Sequence, residues 1–355
     1  DPLWSRGLGD VYKRQGLEST DLATLEKLLS MIDRSVPGEK EKYTFVKKLV
    51  LYRRANKSLD YLQSYLLFQK DWKIHSSINI TGTKLLRQST SSPNFQNVGT
   101  GKKNLEGVVD YNLRTVFGPD FEKIWYAFDW SNAELRVFAY ASGDKSLISA
   151  FESGVSVHLI IARELWGEHI TESSPEYKKT KNGNFAIIYG ASETKADHTY
   201  GAIGAYQKIK KKFPLIDKLA KEKQEEISKE GFVLSLGGYP LVVREPHKAL
   251  NAFIQGSVGW FMAETMLACD NFLLKNQRHG GHIIMQVHDE LVFEFERDVP
   301  PDTVIELKNI MERIPEKYGI PIPVGADRIE KDWSIGTPIF RRKKLIGGEK
   351  HGGRT

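Results

Sequence analysis

Two neighbouring carboxylates, Asp289 and Glu290, interrupt an otherwise apolar stretch toward the end of the chain. The flanking runs, 283–287 and 291–293, are rich in β-branched and large apolar residues, which is typical of two short strands joined by a tight turn. Adjacent carboxylates raise each other's pKa unless a cation shares them. A divalent ion that prefers oxygen ligands would suit the pair, whereas a solvated acidic turn is the ordinary interpretation of Asp-Glu alone.

A third carboxylate, Asp129, follows the apolar run 124–128. This run predicts a strand that ends at Asp129, and a helix is expected to follow it. Ser131 and Glu134 have the spacing of a capping box, in which the glutamate would serve the first turn of that helix. A helix cap is therefore one interpretation of Glu134.

A cation and two aromatic rings recur at intervals of four residues: Lys181, Phe185 and Tyr189. In a helix this spacing places them along one face. Such a stripe can hold a triphosphate, a sugar and a base in turn, although an amphipathic helix with both rings in its core has the same pattern. Gly183 is unusual in this stretch, because glycine costs about 1 kcal/mol in a helix interior.

Two N-terminal helices and a long loop are the first elements that could support these residues. The first helix is predicted to begin at 19–21, with Ser19 or Thr20 available as N-cap, and its apolar face contains Leu22, Leu25, Leu28 and Leu29. The second is predicted from about Lys42 to Leu67. It carries a basic face, for which ordinary solvated charge is a sufficient explanation, formed by Lys47, Lys48, Arg53, Arg54 and Lys57.

The segment 74–97 is polar and without periodicity, which predicts a surface loop.

The composition limits the class of protein. Of the 355 residues, 40% are hydrophobic, which is enough for a sizeable core. No run of about 18 apolar residues, the length that spans a membrane, is present, and the chain start lacks a signal-peptide pattern. The single cysteine, Cys269, excludes an internal disulfide and suits a reducing cytosol. The net charge of +6 permits a nucleic-acid partner without demonstrating one.

Three segments together resemble family A DNA polymerases, the relatives of bacterial DNA polymerase I. The string 286–294, Gln-Val-His-Asp-Glu-Leu-Val-Phe-Glu, resembles the third catalytic motif of that family. Residues 129–136 resemble its Asp-Tyr-Ser-Gln-Ile-Glu-Leu-Arg pattern. Residues 177–190 resemble Arg-x-x-x-Lys-x-x-x-Phe-x-x-Tyr-Gly, with Tyr177 in place of the arginine. The resemblance extends over about residues 19–337.

The resemblance implies a metal-dependent catalytic site. Asp129 and Asp289 would bind two Mg²⁺ ions, for which Mn²⁺ is the expected substitute, and the backbone carbonyl of Trp130 would contribute to metal binding. Lys181 would neutralise the charge that develops on the phosphates and could protonate the leaving group. Glu290 and His288 would support the site from beside it.

Four residues are implied to contact the incoming nucleotide. Glu134 would close the site against a ribose 2′-OH, and Phe185 and Tyr189 would face the sugar and the base. His158, on a helix within 154–167, aligns with a histidine that approaches the phosphates. A lone histidine on an apolar helix is more often a packed core residue, and this alternative stays open.

The implied DNA contacts are spread over the chain. Arg87 aligns with an arginine that touches the minor groove at the primer end, where acceptors occur at every base pair and a donor can test pair geometry without reading sequence. The remaining positions are Arg53 and Lys57 on the second helix, Asn94, Gln96 and Asn97 in the loop, the amides of Asn251 and Gln255, and His288.

The fold class implied is mixed α+β, the right-hand polymerase fold with an antiparallel palm sheet, helical fingers and a truncated helical thumb. The expected boundaries are 16–73 for the partial thumb, 74–145 and 246–340 for the two parts of the palm, and 146–245 for the fingers. Residues 1–15 read as an artificial or sequence-assembly scar, and 341–355 read as a flexible basic tail.

The expected function is template-directed DNA synthesis, in which dNMP is added to a primer 3′-OH by two-metal phosphoryl transfer with release of pyrophosphate. The expected partners are primer-template DNA and dNTPs, and no membrane association is expected. The enzyme is expected to be monomeric, cytoplasmic and of phage type, and a processivity factor is compatible with this expectation. No exonuclease-like acidic motif precedes the thumb segment, so proofreading is expected to be absent from this stretch. The alternatives are a single-subunit RNA polymerase and a non-catalytic nucleic-acid-binding relative.

Overall fold

The structure is a computed structural model that describes residues 21–80, 82–101, 103–105, 108–109, 111–276 and 280–340. The predicted scar at 1–15, the first residues of the predicted thumb and the predicted tail at 341–355 lie outside the described residues.

The helices account for half of the described chain. In order they are α1 (Leu22–Met31), α2 (Glu39–Leu67), α3 (Ala133–Ser142), α4 (Lys145–Glu152), α5 (Val157–Trp166), α6 (Pro175–Ile188), α7 (Glu193–Tyr200), α8 (Ala205–Lys212), α9 (Leu215–Glu230), α10 (Ala249–Lys275) and α11 (Pro301–Glu316).

The strands are shorter. In order they are β1 (Gln69–Lys70), β2 (Lys73–Ile74), β3 (Ser77–Asn79), β4 (Ser89–Ser91), β5 (Lys103–Leu105), β6 (Val108–Val109), β7 (Lys123–Trp130), β8 (Phe232–Leu234), β9 (Pro240–Val242), β10 (His282–Val287), β11 (Glu290–Glu296), β12 (Val324–Ile329) and β13 (Thr337–Phe340). The segment predicted as a surface loop contains the short strands β3 and β4, and the residues of β3 are exposed.

The described chain divides into two compact units. One contains the residues up to Ser77 together with Ser91–Phe117 and Asp332–Ser334, and the other contains Ile78–Thr90, Gly118–Lys331 and the chain from Ile335 onward.

The first unit is built on the pair α1 and α2. Leu25 and Leu29 of α1 pack with Val46 and Val50 of α2, as the leucine spacing predicts. The N-cap of α1 is Asp21, whose carboxylate accepts a hydrogen bond from the Thr24 N–H at 2.8 Å. The predicted caps, Ser19 and Thr20, lie outside the described residues and are not needed for this role.

Helix α2 begins at Glu39, slightly before the predicted start, because Gly38 adopts a left-handed conformation (φ 83°) that ends the preceding turn. Glu39 and Glu41 lie in its first turn, where their negative charges interact favourably with the positive end of the helix dipole. Arg54 does not belong to the exposed basic face: it is buried, and its Nη2 donates to the Glu26 carboxylate at 2.5 Å. The prediction for Arg54 was therefore wrong.

The second unit is organised by a five-stranded sheet in the order β10-β11-β7-β12-β13. Each neighbouring pair is antiparallel. The mixed α+β fold with an antiparallel sheet is thus confirmed. In this sheet β12 pairs with β7 and β13 pairs with β12, and no sequence pattern predicted β13.

Helix α10 is buried along much of its length, which is typical of a core helix. Phe261 and Cys269 are fully buried on it. Burial raises the pKa of the Cys269 thiol to about 12.

None of the single helices in the described residues has the length and apolar composition needed to cross a membrane, while the pair α4 and α5, bent by 117°, meets those two criteria alone.

Candidate active site

The hairpin of β10 and β11 places Asp289 in a two-residue turn and Glu290 at the start of β11, since Val287 pairs with Glu290. His288 opens the turn with a φ of 56°, the left-handed conformation that short hairpin turns require. The turn is fastened by the Gln286 side-chain amide, which donates to the His288 carbonyl at 2.5 Å. The predicted strand–turn–strand is confirmed. It leaves His288 exposed and Asp289 half-buried.

Strand β7 brings Asp129 to this turn. Asp129 pairs with Glu290 of β11 on one side and with Gly325 of β12 on the other. The Trp130 N–H donates to the backbone carbonyl of Asp289 at 3.2 Å. Two aspartates that are far apart in the sequence therefore lie on directly neighbouring backbone.

The end of β7 is fixed by the residue after Asp129. Side chains alternate along a strand, so Trp130 points to the face opposite Asp129. Its ring is buried, and its indole N–H donates to the Met311 carbonyl at 3.1 Å. Gly325, the β12 partner of Asp129, offers no side chain across from it.

The electrostatic surroundings of Asp289 favour a cation. Burial, followed by the negative charges of Glu134 and Asp129, raises its pKa to about 6, and Arg87 acts in the opposite direction. Paired acidic oxygens of this kind fit Mg²⁺, which is commonly held by one or two carboxylates together with water and phosphate oxygens. Within the described ranges, no cluster of three or more His, Cys, Asp or Glu side chains forms a metal cage.

Glu134 lies in the first turn of α3, but it does not cap that helix. The N-cap position is occupied by Asn132, in a left-handed conformation without a side-chain cap bond. The Glu134 carboxylate is instead bound on both oxygens, by the Arg87 guanidinium and by the Tyr189 hydroxyl, the latter at 2.7 Å. The capping-box interpretation was therefore wrong, because the Glu134 carboxylate bonds to Arg87 and Tyr189 instead of capping α3.

Arg87 is held in place by its own loop. Its N–H donates to the Thr83 hydroxyl at 3.0 Å, and that hydroxyl donates to the Arg87 carbonyl at 3.0 Å. The loop reaches helix α10 at Gly259, where a Cβ would come within 2.9 Å of the Leu85 carbonyl oxygen. A glycine is therefore needed there for the close approach. The resulting cleft is lined by residues that include Arg87, Gly259, Met262, Gln286, His288 and Asp289.

Helix α6 presents the predicted stripe. Lys181 is exposed, Phe185 is half-buried, and Tyr189, the C-cap residue, is 39% exposed. The two rings stack with centroids 6.0 Å apart. Partial burial, and secondly the bond to Glu134, raise the pKa of Tyr189, so that it remains a hydrogen-bond donor. Neither ring is a fully buried core residue.

His158 of α5 is buried, in the packed environment that the sequence left open as an alternative. Its Nδ1 lies 2.8 Å from the Asn184 side-chain nitrogen. Burial, with a smaller effect of the Lys181 charge, lowers its pKa to about 4. Tyr177, at the position of the family arginine, contacts the His158 ring edge-on and lies 3.2 Å from the Ser156 hydroxyl. The phosphate contact of His158 stays a prediction.

The other predicted positions are distributed over both units. In the second unit, Gln255 of α10 forms a hydrogen bond with Tyr189, and Asn251 is half-buried one turn earlier. In the first unit, Lys57 and Asn97 are exposed, whereas Arg53, Asn94 and Gln96 are half-buried, and the Asn94 side chain accepts from the Gln96 N–H at 3.0 Å.

Arg136 was missed as a residue that shapes the site. It is buried on α3, and its guanidinium donates to the Ser131 carbonyl at 3.1 Å and to the Pro321 carbonyl at 3.0 Å. These bonds tie the start of α3, and hence Glu134, to the chain that precedes β12. A charged residue inside the apolar run 135–139 was the available signal.

Comparison with known proteins places these motifs in a family. The family model described as DNA polymerase family A matches residues 7–334, so the match begins inside the segment that reads as a scar. DNA polymerase I of Helicobacter pylori (strain ATCC 700392 / 26695) is 28% identical over 349 residues, which cover 91% of this chain and 37% of the relative. DNA polymerase I of Caldicellulosiruptor bescii is 31% identical over 317 residues, covering 81% and 34%. The thermostable DNA polymerase I of Thermus aquaticus is 26% identical over 356 residues, covering 94% and 40%.

A solved structure shares the fold. The POL domain of Pol1 from M. smegmatis, in complex with DNA primer-template and dNTP, superposes with a TM-score of 0.75 at 22% identity, covering 90% of this chain and 57% of that one. The chain spans no more than about two fifths of the length of the curated relatives described above. Because the family model matches nearly the whole length of this chain, the chain belongs to DNA polymerase family A.

Proposed function

We propose that this chain catalyses template-directed DNA synthesis, adding dNMP to a primer 3′-OH and releasing pyrophosphate. The observation that carries the proposal is the pairing of β7 with β11, which makes Asp129 and the Asp289 turn neighbours. Membership of DNA polymerase family A supports it. The curated relatives named DNA polymerase I, and a related domain that binds primer-template and dNTP, point to the same activity.

Asp129 and Asp289, with the backbone carbonyl of Trp130, are the groups that would hold two Mg²⁺ ions, or Mn²⁺ in their place. When bound, such ions lower the pKa of the primer hydroxyl and neutralise the triphosphate and the leaving pyrophosphate. Burial, together with the charges of Glu134 and Asp129, raises the pKa of Asp289 even with Arg87 nearby, which is the physical reason to expect a further cation here.

The residues of α6 and α3 would bind the nucleotide. Lys181 would neutralise phosphate charge from its exposed position, and the stacked pair Phe185 and Tyr189 would face the sugar and base. Glu134 would exclude a ribose 2′-OH. Because two donors bind its carboxylate, Glu134 is oriented before any substrate arrives. A side chain that excludes a single hydroxyl must have a fixed orientation.

The remaining positions would contact DNA. Arg87 would donate to the minor groove at the primer end, and the same guanidinium pairs with Glu134, so primer and nucleotide would be sensed by connected groups. Asn251, Gln255 and His288 would face the template and primer beside it. Asn94, Gln96, Asn97, Arg53 and Lys57 would follow the duplex. In this proposal 16–73 form a partial thumb, 146–245 the fingers, and 74–145 with 246–340 the palm of a monomeric enzyme.

The test is primer extension with Mg²⁺ by Asp129→Asn and Asp289→Asn. Each variant removes one charge at nearly constant volume, and we expect extension to fall by at least about 10²–10³-fold. Glu296→Gln, at the far end of β11, is the matched control and should extend normally, because its partner Lys123 lies away from the turn. Substantial extension by either aspartate variant would reject the proposal.

The same assay separates the two alternatives. Efficient extension with NTPs in place of dNTPs would identify an RNA polymerase. Tight primer-template binding without extension by the wild-type chain would identify a non-catalytic relative.

A further inference from the structure

Asn184 is a buried polar residue of α6 that is hydrogen-bonded on both sides. Its side-chain nitrogen lies 2.8 Å from His158 Nδ1, and its side-chain oxygen accepts from the Tyr200 hydroxyl at 2.6 Å. All three side chains are buried, with at most 5% of any of them exposed. They form a chain of contacts from α7 through α6 to α5.

The direction of the hydrogen bonds along this chain is determined. Burial raises the pKa of Tyr200, so its phenol keeps its hydrogen, and that hydrogen is donated to the Asn184 oxygen. The amide then turns its NH₂ toward His158, which makes Nδ1 an acceptor. With the amide reversed, the Tyr200 hydrogen would lose its acceptor at a position without solvent, which is unfavourable.

The consequence is that the neutral imidazole carries its hydrogen on Nε2. Among the described residues this Nε2 is buried and has no hydrogen-bond partner. A buried donor without a partner is uncommon and indicates a missing acceptor. The Phe185 ring lies 5.9 Å from the imidazole, and the charge of Lys181 is close enough to act on it.

Gly183 is explained by the same contact. A Cβ at this position would lie 2.4 Å from Tyr200 Cε1, so the phenol ring occupies the space that any other side chain would need. The glycine that is unfavourable in the interior of α6 is therefore what lets Tyr200 reach Asn184.

We propose that Tyr200 is a positioning residue for the nucleotide site: through Asn184 it fixes His158 as the Nε2–H tautomer, whose one free donor takes a phosphate oxygen of the incoming dNTP. The identity of the acceptor rests on the proposed polymerase function. The tautomer does not, so the two can fail separately.

The tautomer is measured directly by long-range ¹H–¹⁵N NMR on the full chain labelled with ¹⁵N-histidine, without DNA or nucleotide. The His158 signal is assigned by its loss in His158→Gln. We expect the Nε2–H pattern in the wild-type protein at pH 7–8. An Nδ1–H pattern would overturn the proposal, whatever the activity of the protein.

Two variants test the relay. Asn184→Asp replaces the amide by a group that only accepts, so we expect His158 to move its hydrogen to Nδ1 at pH 8. Tyr200→Phe frees the amide to turn, so the Nε2–H form should lose its dominance. Tyr206→Phe, which removes the hydroxyl of a half-buried tyrosine on the neighbouring α8, is the control and should leave the pattern unchanged. If the His158 pattern is unchanged in Asn184→Asp, or in a folded Tyr200→Phe, the positioning role is rejected.

Single-turnover primer extension tests the acceptor. We expect Tyr200→Phe to raise the apparent dissociation constant for dNTP about tenfold while the maximal rate changes less than about threefold. Tyr206→Phe should match the wild type. If the tautomer shifts in Tyr200→Phe but dNTP affinity does not, the phosphate assignment is overturned. A wild-type chain that shows the Nε2–H form without any extension would instead reject the polymerase proposal.

Discussion

Glu134 is buried and Asp289 is half-buried, and the charges around the two carboxylates differ. Glu134 is neutralised by the Arg87 guanidinium and oriented by the Tyr189 hydroxyl. At Asp289, burial outweighs the opposing charge of Arg87 and, together with the charges of Glu134 and Asp129, raises the pKa to about 6. The surroundings of Glu134 therefore fix the orientation of its carboxylate, whereas those of Asp289 favour the binding of a cation.

Asp289 should make the metal-free protein less stable as the pH rises. Its folded pKa of about 6 exceeds the ordinary value of 3.8, so the cost of its charge appears as pH increases from about 4 to 6 and is constant above that. We expect Asp289→Asn to gain stability over the wild type, on the order of 2 kcal/mol, at pH 7.5 in EDTA. At pH 4 the gain should be absent. Urea unfolding at the two pH values measures the difference, and an equal difference at both would contradict the assignment.

Mg²⁺ supplies the complementary measurement. A ligand that binds only the folded state stabilises it in proportion to its affinity. Mg²⁺ at pH 7.5 should therefore raise the unfolding midpoint of the wild type, and raise that of Asp289→Asn less.

Glu134→Ala should raise ribonucleotide incorporation, because it removes the group proposed to meet the 2′-OH. Glu134→Gln is the matched variant, since it keeps the volume and a hydrogen bond to Tyr189. We expect selection against rNTPs to fall at least tenfold in the alanine variant and to be largely retained in the glutamine variant. Competition between dNTP and rNTP in primer extension measures it, and equal selection in all three proteins would remove Glu134 from this role.

The residues of the proposed site could be predicted from the sequence because they are carboxylates, a lysine and aromatic rings, and the lysine and rings recur at a regular spacing. The partners of Glu134 were not visible. Arg87 is 47 positions away and Tyr189 is 55 positions away, so only the fold brings them to one carboxylate. The local capping spacing with Ser131 competed with these distant partners, and the stronger tertiary contacts prevailed.

At the scale of single elements, α6 combines a partly exposed stripe, which we propose to bind the nucleotide, with a buried side that contacts its neighbour α7. The buried side is formed by Gly183 and Asn184, both of which contact Tyr200. The residues on the buried side are therefore restricted by the shape of the Tyr200 ring and the position of its hydroxyl.

Gly183→Ala should destabilise the protein although alanine is the better helix former. The new methyl group would lie 2.4 Å from Tyr200 Cε1, and overpacking of this kind costs about 1–3 kcal/mol, more than the gain of about 1 kcal/mol in helix propensity. In a Tyr200→Leu background the clash is relieved, and the same substitution should become neutral or stabilising. Thermal unfolding of the four proteins in this cycle measures the coupling, and a destabilisation by Gly183→Ala of equal size in both backgrounds would contradict the contact.

Long elements with a clear period were predictable, and short ones were not. The leucine spacing predicted α1, and the apolar runs around His288 predicted β10 and β11. The strand β13, from Thr337 to Phe340, is stabilised by pairing with β12 rather than by a pattern of its own. The burial of Arg54 likewise depends on Glu26 of the other helix, which a view of α2 alone cannot reveal.

At the scale of the whole molecule, the net charge of +6 should make DNA binding strongly dependent on salt. Each phosphate contact that a basic residue neutralises adds about 0.9 to the slope of log affinity against log salt concentration. We expect Lys57→Ala, on the exposed side of α2, to weaken primer-template binding and to reduce this slope by about one. Lys42→Ala on the same helix is the control, because Lys42 already pairs with Glu39. Fluorescence anisotropy over a salt series measures both, and identical slopes for Lys57→Ala and the wild type would place Lys57 away from the duplex.

The burial of Cys269 has a practical consequence. The only sulfhydryl of the chain lies in the core on α10, and its pKa of about 12 keeps it protonated at neutral pH. Maleimides and iodoacetamide react with thiolates that they can reach, so the native protein should behave toward them as if it had no cysteine. A cysteine introduced on the surface of α6 would then take a fluorophore alone, and motion of that helix during nucleotide binding could be followed without removing any natural residue.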